Sequence, residues 1–448
     1  MQAENASRSL GGMVLLLLAL VGSAILAGGL HPAHAQGFGN FTRDHGKIVL
    51  KVLKSDLEKN YYAPSIRGEA LDAHFKQAEE KINAATSTGQ VLGVIAQALV
   101  DLDDSHTFFV PPERASRTEY GWQLQMIGDE SFVVAVKPGS DAAAKGLRAG
   151  DLIQSLDGFP PTREIMWKMR YAYYTLRPQP AMRLVRRNPA GQESQTDVLA
   201  KVTPGRIRFD LTDDSDFWNL IREGQKEARV NRHRYHEVGE DLKIWKMPQF
   251  DLNLGEVDNR MKDVGKFKAL ILDLRGNGGG SVRMLERLAS YFADRDLIIA
   301  ELKGRKKMDP MEAKSRGNNV FKGKLVVLVD SDSGSASEIF ARLIQLEKRG
   351  TVIGDRTAGA VMQSRHYDHE IGTESVIFYG ASITNADVIM SDGKSLEKEG
   401  VTPDEVLLPT QEDMASGRDP VLARAAALVG IEMSAEEAGS LFPIEWQD

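Results

Sequence analysis

KLVVLVDSDSGSASEIFARLIQ, residues 324–345, decides the fold. Its first seven residues are a short, unbroken apolar run ending in Asp330, the pattern of a strand buried on both faces. A turn rich in serine and glycine follows, then a helix beginning around Ala336. A second apolar run, ALILDL (269–274), lies upstream, and Val282–Phe292 between the two has helical periodicity. This order predicts an α/β domain with a partly parallel sheet, placed at residues 204–410.

Outward from that core, residues 36–117 read as a helical region. Leu71, Phe75, Ala78 and Ile82 share one helix face, and Ser87 with Gln90 forms a capping box ahead of Val91, Val94, Ile95, Ala98, Leu99 and Leu102. Then comes DLDDSHTFFVPPE (101–113), in which Pro111-Pro112 ends a short strand. Residues 118–203 form a separate β-rich unit. Within it, VVAVKPGSDAAAKGLRAGDLIQSLDG (133–158) reads as strand, Pro-Gly turn, short helix, glycine and strand. The tail, 411–448, is acidic and helical and is expected to pack on the outside.

Composition narrows the function. Hydrophobic residues at 42% and charged residues at 27% are ordinary for a globular protein, and 63 acids outnumber 56 Lys and Arg. No basic stripe stands out for a nucleic acid, and KGRKK (303–307) reads as a solvated loop. There is no cysteine, so disulfides and thiolate metal sites are excluded. His233 and His236 lack the further ligands a metal would need. Arg8, the apolar run from Met13 to Leu30 and the Ala33-His34-Ala35 site read as a cleavable signal peptide, residues 1–35, for export to a periplasmic or extracellular space.

Two segments carry chemistry. Ser335 sits in a tight turn between strand and helix, where free N–H groups and the helix dipole favour an oxyanion. Ser337 with Glu338 reads as the helix cap, leaving Ser335 free to react. DLRGNGGG (273–280) follows the other strand, and its glycines let backbone N–H groups approach a ligand. The loop lacks the Lys-Ser/Thr ending of a phosphate loop, so no nucleotide cofactor is expected.

DLRGNGGG, GSASEIFA, GDRTAG and SLEKEGVTPDEVLLP (395–409), in this order, resemble the tail-specific, C-terminal-processing serine peptidases. Residues 118–203 resemble a PDZ domain in the place where that family carries one. The resemblance covers about 45–410. It implies a peptidase without metal or cofactor, acting on polypeptides, with Ser335 as nucleophile and an oxyanion hole from the N–H groups of Gly279 and Ala336. The PDZ-like unit would hold peptide ends, with Gly121 and Trp122 as the carboxylate cradle. It says nothing of oligomeric state.

One position departs from the pattern. The Ser-Lys branch of the family places its general-base lysine 25 residues after the serine, and here that position is Ala360. An alanine accepts no proton, so either another base serves or the chain does no catalysis. His106, in DDSHT, titrates near neutral pH. Glu397 matches the carboxylate of the tricorn-like branch, which uses Ser, His and Glu. The alternatives are a non-catalytic binding protein on the same scaffold and a Ser-Lys enzyme disabled at position 360.

Overall fold

The computed structural model describes residues 41–64, 68–114, 116–204, 232–372 and 376–446. The signal peptide read at 1–35 lies outside these residues.

Three helices open the described chain: α1 (Arg43–Asn60), α2 (Glu69–Ala84) and α3 (Thr88–Val100). Leu71, Phe75, Ala78 and Ile82 bury one face of α2, as their spacing demands. Ser87 caps α3 by accepting from Gln90 N–H, but the Gln90 side chain turns to the Thr86 N–H and not to Ser87, so the expected box is only half made. After α3 the DDSHT turn leads into β1 (Phe108–Val110), which lies antiparallel on a later strand.

The β-rich unit enters and leaves through a two-stranded ribbon, β2 (Ser116–Glu119) against β8 (Lys201–Pro204). Between them β3 (Trp122–Ile127), β4 (Glu130–Val136), β5 (Leu152–Leu156), β6 (Ala181–Arg187) and β7 (Glu193–Leu199) form one antiparallel sheet in that order. The short helix α4 (Asp141–Ala144) follows β4, and α5 (Arg163–Arg170) follows β5. Strand β3 is therefore an edge, paired on one side only.

The main sheet runs β18-β15-β14-β11-β10-β9. Its strands are β9 (Arg234–Val238), β10 (Leu242–Lys246), β11 (Ala269–Asp273), β14 (Lys324–Val329), β15 (Thr351–Gly354) and β18 (Glu405–Val406), parallel except β9. The helices α6 (Leu254–Val264), α7 (Val282–Ala289) and α8 (Ala336–Leu346) connect them. A second, antiparallel sheet holds β1, β12 (Leu297–Gly304), β13 (Met311–Ala313), β16 (Met362–Ile371) and β17 (Ile377–Met390). Arg305, read as part of a solvated loop, instead donates to the last carbonyls of α1, at Leu57 and Glu58.

The main sheet is covered on both faces, which explains its unbroken apolar strands. Leu270, Leu272, Val327 and Val329 pack with Phe340, Leu343 and Leu288 on one side. Ile271, Val326 and Leu328 pack on the other side with Val421, Leu422, Ala425 and Ala426. Those last four belong to α10 (Pro420–Val429), which stands between α9 (Gln411–Ser416) and α11 (Ala435–Leu441). The tail is thus the second helical layer of the core and not an outer appendage. Its apolar residues at helical spacing outweigh its acidic composition, because an uncovered sheet face would leave Ile271 and Leu328 in water.

Leu422 is fully buried, so Leu422→Ala is expected to cost about 2–5 kcal/mol in a urea unfolding experiment. A loss below about 0.5 kcal/mol would return the tail to the outside.

Candidate active site

The turn that carries Ser335 is held under strain. Ser335 has φ 52°, a left-handed conformation that costs a residue with a side chain about 1–2 kcal/mol. It occupies the N-cap position itself, and α8 starts at Ala336. This corrects the reading of Ser337 as the cap: Ser337 lies inside the first turn, buried, and its hydroxyl donates to the Asn277 carbonyl at 2.8 Å.

Glu338 holds the strained turn. Its carboxylate is fully buried and accepts four hydrogen bonds. Thr357 Oγ1 (2.6 Å) and Gly359 N–H (2.8 Å) reach Oε1, while Ser335 N–H and Ala360 N–H (both 3.0 Å) reach Oε2. Burial pushes its pKa up to about 7, against the pull of these donors. All four partners donate, and that arrangement suits the anion.

The glycine loop closes over this turn. A Cβ on Gly279 would lie 2.7 Å from the Ser335 Cβ and 3.0 Å from the Ala336 nitrogen, and φ is 105° there, so only glycine fits. The Gly279 N–H, expected as an oxyanion donor, is committed in this arrangement, however. It donates to Asn277 Oδ1 at 2.9 Å, and the Asn277 amide is fixed in that sense because its NH2 donates to the Met247 carbonyl. Of the two expected donors, Ala336 N–H alone makes no hydrogen bond among the described residues. The N–H groups of Gly278 and Gly280 are also uncommitted there, and a second donor has to come from them or from Gly279 once its bond to Asn277 opens.

The imidazole and the carboxylate meet through Ser105, a residue to which the sequence alone assigns no role. Ser105 Oγ donates to Glu397 Oε2 at 2.8 Å and lies 2.7 Å from His106 Nδ1. The Ser105 N–H also donates to Glu397 Oε1 at 2.8 Å. Because the Ser105 proton points to the carboxylate, His106 Nδ1 must carry a hydrogen and donate to Ser105. The lone pair of His106 is then on Nε2. Asp104 fixes the turn by accepting from the His106 and Thr107 N–H groups and from Thr384 Oγ1. Burial lowers the His106 pKa and His366 lowers it further, with Asp104 opposing. Burial raises the Glu397 pKa, while its bonds from Ser105 and Val361 lower it.

A single peptide unit couples the two halves. The Ala360 carbonyl accepts from Ser335 N–H at 3.0 Å, and the Val361 N–H of the same unit donates to Glu397 Oε2 at 2.9 Å. Position 360 therefore contributes through its backbone. No hydrogen bond joins His106 to Ser335 among the described residues, and the Ser335 hydroxyl donates to no side chain there. Such contacts are often long in unliganded sites.

Gly121 and Trp122 line a cavity of about 1040 Å³ between β3, α5 and the main domain. Gly121 takes φ 72°, but the Trp122 side chain is buried in the core of the β-rich unit. Only the backbone of Trp122 is thus available to a ligand. His233 is committed elsewhere, accepting from Trp245 Nε1 and bonding to Asp251.

Residues 242–407 match peptidase family S41. The chain is 25% identical to the tail-specific protease of Haemophilus influenzae over 71% of its own length, and spans only 46% of that protein. It is 24% identical to a carboxy-terminal-processing protease of Bartonella bacilliformis over 71% of its length and 70% of the relative. In fold it resembles mature CPAF, with a TM-score of 0.61 and 17% identity over 83% of this chain and 94% of the other. The match to peptidase family S41 thus lies at residues 242–407, and the chain is similar to the tail-specific and carboxy-terminal-processing proteases over about 71% of its length.

Proposed function

We propose that the chain is an exported serine peptidase that cleaves polypeptides through an acyl-enzyme on Ser335, with His106 as general base. The observation that carries this reading is the path Glu397–Ser105–His106, which leaves an imidazole nitrogen without a proton beside the DDSHT turn. His106 Nε2 takes the Ser335 proton as Oγ attacks the scissile carbonyl, and the oxyanion forms against Ala336 N–H. Collapse breaks the C–N bond, and the imidazolium returns its proton to the leaving amine. Water, deprotonated by the same nitrogen, then releases the acid and regenerates Ser335. Ser105 and Glu397 orient the ring and stabilise its charged form without taking the proton.

Ala360 does not weigh against this reading, since its N–H serves Glu338, its carbonyl accepts from the Ser335 N–H, and the adjoining Val361 N–H serves Glu397. The β-rich insert is read as the PDZ-like holder of peptide ends, on the strength of the open β3 edge beside Gly121. Export rests on the leader at residues 1–35.

A fluorophosphonate probe should label the wild type and not Ser335→Ala, and labelling that survives the substitution would remove Ser335 from the mechanism. His106→Ala should lose at least about a hundredfold in kcat/KM on an unfolded polypeptide, the low end for a general base. Ser105→Ala should lower kcat with KM little changed, because it disorients the base without touching substrate. An untouched kcat would separate Ser105 from the reaction.

The pH profile carries a sign. A base must be neutral to act, and burial disfavours the imidazolium, so the acidic limb of kcat/KM should fall below the ordinary histidine value of about 6.5. A limb above that value would point to another base. Glu338→Gln would aim an NH2 at two N–H donors and should cut the rate by at least about tenfold, at about 1–3 kcal/mol per unmet donor. An unchanged rate would deny Glu338 its part in holding the turn.

A further inference from the structure

Arg275, the third residue of DLRGNGGG, is gripped by two carboxylates. Its Nε and Nη2 each donate to Asp273 at 2.9 Å, and its Nη1 and Nη2 donate to the two oxygens of Asp419 at 2.9 and 2.7 Å. Asp273 is a local partner, fully buried at the end of β11. Asp419 is a distant one. It lies past residue 407, where the match to peptidase family S41 ends, and it is the N-cap of α10. One of its oxygens also accepts from the Leu422 N–H at 2.9 Å. Lys246 completes the group, donating to Asp273 at 3.2 Å and to the Arg275 carbonyl at 2.9 Å. Two cations and two anions thus meet where the glycine loop leaves β11.

The glycine loop touches the N-termini of two helices that cover opposite faces of the main sheet. Gly279 packs on Ser335 and Ala336 at the start of α8, and Arg275 reaches Asp419 at the start of α10. The second contact depends on charge. A helix N-terminus is partly positive and repels a guanidinium, and the Asp419 carboxylate turns that repulsion into two charge-assisted bonds. Without the carboxylate, Arg275 is pushed toward the cavity that it and Gly276 already line, and the glycines behind it follow. We propose that Asp419 is a positioning residue for the oxyanion hole: through Arg275 it sets the glycine loop against the Ser335 turn. The helical tail, outside the matched domain, then takes part in catalysis. The inference rests on the acyl-enzyme reading, in which Ala336 N–H and one glycine of the loop face the oxyanion. A displaced donor loses most of its worth, because hydrogen bonds weaken steeply with length and angle.

Asp419→Asn in the full chain tests this. Asparagine still caps α10, so the helix keeps its start, but it offers Arg275 no charge and turns an NH2 toward the guanidinium. With unfolded casein as substrate, kcat should fall about tenfold while KM stays within about twofold. That is less than the roughly 10²–10³ lost when an oxyanion donor is deleted. Labelling of Ser335 by the fluorophosphonate probe should slow by the same factor, because the phosphonyl oxygen uses the same donors. Asp419→Ser also caps the helix but is too short to reach Arg275, and it should behave in the same way. Leu422→Ala is the control. It loosens the buried face of the same helix and leaves Asp419 and Arg275 in place, so it should lower the urea midpoint with kcat and labelling within about twofold of wild type. Wild-type kcat and labelling in both Asp419 variants, or a change in KM alone, would overturn the proposal and leave the acyl-enzyme reading intact. So would equal losses of activity in the Asp419 variants and Leu422→Ala, which mark a general loosening of the tail. A wild type that neither cleaves casein nor takes the probe would overturn both.

Discussion

A carboxylate drawn partly out of water is tolerated only where donors meet it, and the site depends on how the half-buried Glu397 satisfies that condition. Its three donors come from two places, the DDSHT turn and the peptide joining Ala360 to Val361. Ser105 and Glu397 are 292 positions apart in the chain, so the contact exists only when the helical region and the α/β domain are docked. The strand β17 makes that docking possible. It pairs with β1, which continues from DDSHT, and with β12 of the second sheet. Thr384 on β17 also donates to Asp104 in the turn. The imidazole is therefore delivered to the site by sheet pairing and held there by a carboxylate.

Glu338 does the same for Ser335, the proposed nucleophile. The two carboxylates face opposite ends of one short segment: Glu338 holds Thr357, Gly359 and Ala360, and Glu397 holds Val361. A segment gripped from both ends cannot shift without loosening both the Ser335 turn and the histidine. In the Ser-Lys branch that the sequence resembles, this position supplies a side chain. Here the Ala360 N–H and carbonyl hold Glu338 and the Ser335 N–H, the adjoining Val361 N–H holds Glu397, and an alanine is sufficient for that.

Much of this was legible in the sequence for definite reasons. The strands of the main sheet are apolar on both faces because Leu270 and Ile271 each meet a different core, and such runs stand out. Ser335 was visible because strand, turn and helix are contiguous. Ser105 was in view but unassigned, since its meaning depends on a carboxylate 292 positions away. Its position beside a candidate base histidine was the one local signal. The commitment of the Gly279 N–H could not be read either, because it depends on how the Asn277 amide is turned by Met247. The tail was misjudged on charge, although Val421, Leu422, Ala425 and Ala426 repeat at helical spacing and mark a buried face.

The central claim is that one imidazole, aimed by Ser105 and Glu397, serves the Ser335 hydroxyl. A crystal structure of the covalent phosphonyl adduct on Ser335 tests it most directly. The account predicts a phosphonyl oxygen within hydrogen-bond reach of Ala336 N–H, His106 Nε2 beside the Ser335 oxygen, and Ser105 still bridging Nδ1 to Glu397. An adduct in which a different basic group lies beside that oxygen, with His106 turned away, would contradict it.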